Sequence, residues 1–125
     1  MINPVIKDIS STDWNGRNFS RSLPECIWFH VEIGEQGKDG ADLFQIGVCN
    51  LPWAQSKYPN RDYVLTDQSI VFAEKYVLVL DQLNAENLTN TLARLIGMSG
   101  PYSTWQNFGK AMSDYMMWEY EETGQ

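Results

Sequence analysis

Three glycines at equal spacing, Gly34, Gly37 and Gly40, stand in "HVEIGEQGKDGADLFQIGV", residues 30–48. Glycine-rich stretches hold phosphate where a strand runs into a helix, because the helix N-terminus then meets the anion. Here one alternating apolar run precedes the glycines and another follows. Glu35, Asp39 and Asp42 also outnumber the one nearby cation, Lys38. Both features disfavour an anion site. The three glycines instead predict a long hairpin turn in which they supply positive φ. Calcium is not expected either, since the spacing of Asp39 and Asp42 is not that of an EF-hand loop and no bidentate Glu closes it.

Few other residues have the right types for chemistry. Cys26, His30 and Cys49 suggest zinc by type alone. "CIWFHVEI" alternates as a strand, which places Cys26 and His30 on one face but roughly 13 Å apart. Ligands of one zinc converge within about 2.3 Å of the metal, so no metal is expected. Pairing apolar with apolar residues sets Ile33 opposite Phe44, Val31 opposite Ile46 and Phe29 opposite Val48. Cys49 then faces Trp28 and leaves Cys26 diagonal at about 7 Å or more, near the bridging limit, so two buried, unreactive thiols are expected. The single His30 has no Ser or Cys motif such as G-x-S-x-G to serve. Paired carboxylates can act as acid and base, but Glu119, Glu121 and Glu122 read as the solvated side of a terminal strand. No catalytic residue and no cofactor is assigned. Trp14, Phe19 and Trp53 lie in polar, loop-like sequence, where an aromatic either anchors a partner or folds back onto the core.

The elements that must position these residues follow from periodicity. "NPVIKDIS" predicts a short strand with an edge-like start beside Pro4, and residues 11–25 an exposed connection. "CIWFHVEI" and "LFQIGVCN" form the hairpin, with Ile27, Phe29, Val31 and Ile33 on one face and Phe44, Ile46 and Val48 on the matching one. "LPWAQSKYPNRDY" reads as a short helical turn and then loop. "IVFA" and "YVLVL" are β-rich, the second as a central strand. "NAENLTNTLARLIG" is the clearest helix: Asn84 caps it, Leu88, Leu92, Leu95 and Ile96 make its stripe, and Gly97 ends it. A second helix begins at "STWQNFGKAM", with Ser103 and Gln106 as a capping box and Trp105, Phe108 and Met112 along one side. Gly109 weakens it by about 1 kcal/mol relative to alanine, which asks for a packing reason. "MMWEYEE" alternates again as a closing strand, with Trp118 and Tyr120 on one side. Strands and helices are largely segregated. The expected fold is α+β: a single domain over residues 1–125, mainly antiparallel, with two helices on one face and a closing C-terminal strand.

Bulk properties restrict partners. A chain of 125 residues with 43% hydrophobic residues and five tryptophans can bury one core. Its net charge of −7 repels nucleic acid and anionic membrane, which are bound by neutralising phosphates. The same charge speeds association with a basic partner. Neither a basic start with an apolar run nor a stretch of roughly 20 apolar residues occurs, and only two cysteines are present, so a cytoplasmic protein is expected.

Two segments carry a family likeness: "EIGEQGKDGADLFQIGVCNLPW" and "GPYSTWQNFGKAMSDYMMWEYEE". The marks are Ile33-Gly34, Phe44, Pro52-Trp53, Thr104-Trp105 and Trp118-Glu119-Tyr120-Glu121, in that order. This pattern resembles the bacterial immunity protein 8 family, found beside polymorphic and contact-dependent growth inhibition toxins. It covers about two-thirds of the chain and leaves out residues 10–25 and 56–75. The resemblance implies a non-enzymatic α+β protein that binds and neutralises one toxin domain inside the producing cell. Many such toxins are nucleases with basic clefts, which suits an acidic inhibitor. No contact residue transfers from the family, because the shared motifs look structural. By charge and exposure, two surfaces are candidates for the toxin: the hairpin loop with Glu35, Asp39 and Asp42, and the acidic end with Glu119, Glu121 and Glu122. Trp14, Phe19 and Trp53 stand behind them. The protein is expected as a monomer or weak dimer. The competing readings are a non-enzymatic adaptor or self-assembling module, and a small carboxylate-dependent hydrolase.

Overall fold

The structure is a computed structural model, and it describes residues 1–66 and 69–120. Alternation builds most of it. β1 (Pro4–Ser10), β2 (Cys26–Glu35), β3 (Asp42–Cys49), β4 (Val71–Glu74), β5 (Val77–Val79) and the two-residue β6 (Met117–Trp118) form one sheet. Its order is β1-β2-β3-β5-β4, with β6 on the first half of β3. The pairs are antiparallel except β3 with β5, which run parallel. The parallel pair arises because the chain leaves β3 at Cys49, travels through a helix and a long connection, and re-enters on the far strand before hairpinning back. That hairpin is tight, and Tyr76 takes φ 72° in it.

Three helices accompany the sheet among the described residues: α1 (Leu51–Lys57), α2 (Ala85–Ser99) and α3 (Trp105–Met112). Asn84 caps α2 by accepting from the Asn87 N–H, and the stripe Leu88, Leu92, Leu95 and Ile96 is buried, as the periodicity requires. Two end signals are misplaced. α2 runs through Gly97 to end at Gly100, and α3 is capped by Thr104, which accepts from the Asn107 N–H, not by Ser103. Ser103 instead accepts from the Asn107 side chain.

The inward faces of β2, β3 and β5 supply Phe29, Val31, Ile33, Phe44, Ile46, Val48 and Leu78 to a core completed by α2 and by Phe108 and Met112 of α3. The alternate residues Cys49, Val77 and Val79 face the other way and meet Ala54 and Trp53 of α1 in a second, smaller cluster. The two helices expected on one face, α2 and α3, are found there, and α1 in addition covers part of the opposite face.

The hairpin register also differs from expectation. Val31 faces Phe44, Phe29 faces Ile46, Ile27 faces Val48 and Ile33 faces Asp42. The shift is two residues, and side chains alternate with period two, so every apolar residue keeps its face. Hydrophobic pattern cannot detect such a slip. One consequence reverses the expected cysteine geometry: Cys26 lies directly opposite Cys49, and Trp28 opposite Gly47. Gly37 and Gly40 take positive φ in the turn, whereas Gly34 does not. Gly34 is needed for close approach, because a Cβ there would collide with the Gly40 carbonyl oxygen.

Gly109 has its packing reason. A Cβ at this position would lie 2.5–2.6 Å from the indole of Trp118, which stacks on Phe44 at 6.2 Å between ring centroids. The Gly109→Ala variant is expected to lose about 1–2 kcal/mol, overpacking outweighing the gain in helix propensity. A chemical-denaturation midpoint at or above wild type would contradict this.

Candidate functional site

Of the two acidic surfaces read from the sequence, the hairpin loop and Glu119 lie at one end of the sheet. β6 pairs with the start of β3, Trp118 opposite Phe44 and Met117 opposite Gln45. The ladder continues one bond further, from the Glu119 N–H to the Leu43 carbonyl at 3.0 Å. The Glu119 carboxylate returns to accept from the Leu43 N–H at 2.8 Å. The hairpin turn and the C-terminal strand thus border the same rim.

The carboxylates on this rim differ in what they do. Asp42 is half-buried, and its Oδ2 accepts from both the Trp105 and Trp118 indoles, at 2.5 and 3.0 Å. It ties α3 and β6 to the hairpin. Glu119 spends one oxygen on the backbone of β3. Glu35 pairs with Lys38 at 2.9 Å, an exposed bridge of the kind worth about 0–1 kcal/mol. Lys7 reaches over to donate to the Lys38 carbonyl at 2.7 Å. Asp39 is exposed and has no hydrogen-bond or ion-pair partner among the described residues, so its charge is available. Glu121 and Glu122 lie outside the described residues.

The three aromatics have unlike settings. Phe19 is 7% exposed and belongs to the main core, which leaves it to structure. Trp14 is half-buried, edge-on to Phe29 at 5.6 Å, with its indole N–H donated to the Arg17 carbonyl. Trp53 lies on α1 in the second cluster under the Lys57 ammonium, 4.8 Å from its ring centroid. Tyr58 and Lys57 both bond Glu74, at 2.8 and 3.1 Å, and these hydrogen bonds hold its carboxyl below the usual range, aided by the Lys57 charge. Trp14 and Trp53 thus fold back against the protein at least in part.

The thiols are poor nucleophiles. Burial pushes Cys26 up to about 11, with the Glu74 carboxylate adding to the effect. Burial likewise pushes Cys49 up to about 12, helped by Cys26. Both are protonated at neutral pH. His30 is exposed and lies 3.2 Å from Gln45 Nε2. No three His, Cys, Asp or Glu side chains converge among the described residues. A groove of about 860 Å³ opens between α2 and the end of β5, lined by Asp81, Gln82, Asn87, Asn90, Thr91 and Arg94 among others. Asp81 is the one carboxylate among its described lining residues.

Sequence reasoning passed over Asn50. This side chain is 2% exposed and makes four bonds. Its oxygen accepts from the Glu25 and Trp53 N–H groups, each at 3.0 Å. Its nitrogen donates to the Ser20 and Leu23 carbonyls at 3.1 and 2.8 Å. It caps α1 and pins the irregular 11–25 connection at once. Asn followed two residues later by Pro is a legible helix start; the long-range half of its role is not.

The chain matches the family model described as Immunity protein 8 over residues 4–123, nearly its whole length. No curated protein and no solved structure matches it.

Proposed function

The chain belongs to the immunity protein 8 family, and from that premise we propose that it neutralises a cognate toxin domain by binding it stoichiometrically rather than by transforming it. The observation that carries the reading is the shared acidic rim, where Glu35, Asp39 and Glu119 border one end of a sheet braced by the Asp42–tryptophan clasp. Carboxylates on a rigid frame lose little entropy when they engage a cation. With a net charge of −7 they steer a basic protein and repel nucleic acid. A nuclease-type toxin with a cationic cleft fits this chemistry, met in the cytoplasm of the producing cell by a monomeric or weakly dimeric antidote without a cofactor. Asp42 contributes to the rim mainly by holding it together.

The test is to purify the chain with the toxin domain encoded beside it. Co-elution at equal stoichiometry with loss of toxicity is expected. Charge reversal of Glu35, Asp39 and Glu119 together is expected to weaken binding on the order of 100-fold and to flatten its salt dependence. Protection by the chain at a small fraction of the toxin concentration would indicate turnover and overturn the reading. Unchanged affinity after charge reversal would move the contact off this rim.

A further inference from the structure

The outer face of the sheet is covered by α1 only near Cys49, Val77 and Val79. Among the described residues nothing covers the middle of β2 and β3, and Trp28 stands there 41% exposed. Its indole lies flat on Gly47 across the strand pair, where a Cβ would come within 3.2–3.3 Å of three ring atoms. Any larger residue at 47 would push the ring away. The ring therefore rests directly on the backbone of the neighbouring strand. The indole N–H of Trp28 donates to no acceptor among the described residues, unlike those of Trp14, Trp105 and Trp118.

The next rungs on the same face are polar except for Leu43, which faces Glu32 from β3. His30 faces Gln45 on one side and Ser10 on the other. One step further, Glu32 of β2 stands directly opposite Asp8 of β1. Like charges directly opposite in a sheet destabilise it, and neither carboxylate forms an ion pair among the described residues. The neighbouring Lys7 sends its ammonium to the Lys38 carbonyl instead. Trp28 and Glu32 lie four residues apart on one face of β2, roughly 13 Å, so the exposed indole and the two uncompensated carboxylates are placed to receive separate cations of one partner surface. Arginine suits either place, stacking on an aromatic ring or bonding carboxylates through its planar fork.

We infer that this open face, with Trp28 as anchor and the Asp8–Glu32 pair as its charged flank, is a second contact surface for the toxin, taking an arginine-bearing basic patch. The inference rests on the immunity reading and extends the contact from the acidic rim across the sheet. Buried aromatic anchors carry a large share of interface energy, and the acidic flank complements a basic partner in the same sense as the whole chain.

The experiment titrates the catalytically inactivated toxin domain into wild type, Trp28→Ala and the double variant Asp8→Asn with Glu32→Gln, each first checked by thermal melt. Trp28→Ala is expected to raise Kd on the order of 100-fold. The double variant is expected to raise it about 10-fold and reduce its salt dependence, while melting at or above the wild-type temperature because the repulsive pair is gone. That combination, a sturdier fold that binds less well, is not produced by structural damage. Wild-type binding left unchanged by both variants would overturn the inference while sparing the rim. A change in self-association of the free chain without a change in toxin affinity would also overturn it, assigning the face to a second copy. Failure of the wild type to bind the toxin would instead sink the immunity reading itself.

Discussion

Replacing Asn50 by aspartate, one atom's change, is expected to cost roughly 3–5 kcal/mol of folding stability. The aspartate oxygen can still accept from the Glu25 and Trp53 N–H groups. Its second oxygen, however, takes the place of an amide that donates to the Ser20 and Leu23 carbonyls. Two bonds become two repulsions at a site only 2% exposed, and a charge is left where water does not reach. The carboxyl would resist ionising there, so its folded pKa lies above the unfolded one. The variant is thus least unstable in acid, relative to wild type, and loses ground as pH rises through the carboxylate range, the neutral acid regaining one donor. Typical domains hold about 5–15 kcal/mol in all, so the 11–25 connection and α1 are expected to loosen together. Urea unfolding of wild type and variant at neutral and acid pH measures both effects. A midpoint within experimental error of wild type at neutral pH would mean that Asn50 is not the pin the geometry describes.

The second large effect is at Asp42. Alanine there is expected to cost about 3 kcal/mol, because two half-buried indole N–H groups lose a charged acceptor at 2.5 and 3.0 Å. Asparagine keeps a carbonyl oxygen for the same donors and is expected to cost about 1 kcal/mol. The order matters for function as well as stability. If Asp42 chiefly clasps Trp105 and Trp118, Asp42→Asn folds and binds toxin nearly as wild type. If its charge meets the toxin directly, Asp42→Asn loses affinity despite a sound fold. Denaturation midpoints and toxin titrations on the same two variants separate these outcomes, and an alanine variant as stable as wild type would refute the clasp.

The extent to which the sequence revealed this architecture varies with the range of the interaction. α2 was legible because its cap and stripe are local: Asn84 and Asn87 are three residues apart, and the leucines repeat at helical spacing. The presence of the hairpin was equally legible, through alternation on both sides of a glycine turn. Its register was not, because a shift of two leaves every side chain on its face. That single ambiguity hid the Cys26–Cys49 opposition and the seating of Trp28 on Gly47. In sequence the acidic rim reads as two surfaces for a similar reason: Asp42 and Trp118 are far apart in the chain, and only the pairing of β6 with β3 brings them together.

What residue order determined on its own was the set of local periods: which segments are strands or helices, and which face of each is apolar. The tertiary structure alone decided which of those faces meet. Strand pairing turned Asp42 from a free charge into a clasp, folding of the 11–25 segment over Asn50 buried Phe19, and the placing of α1 left Trp28 uncovered. The physical reason is that backbone propensity and hydrophobic alternation act over a few residues, whereas register, edge pairing and buried polar bonds are settled by contacts between segments that sequence distance does not relate.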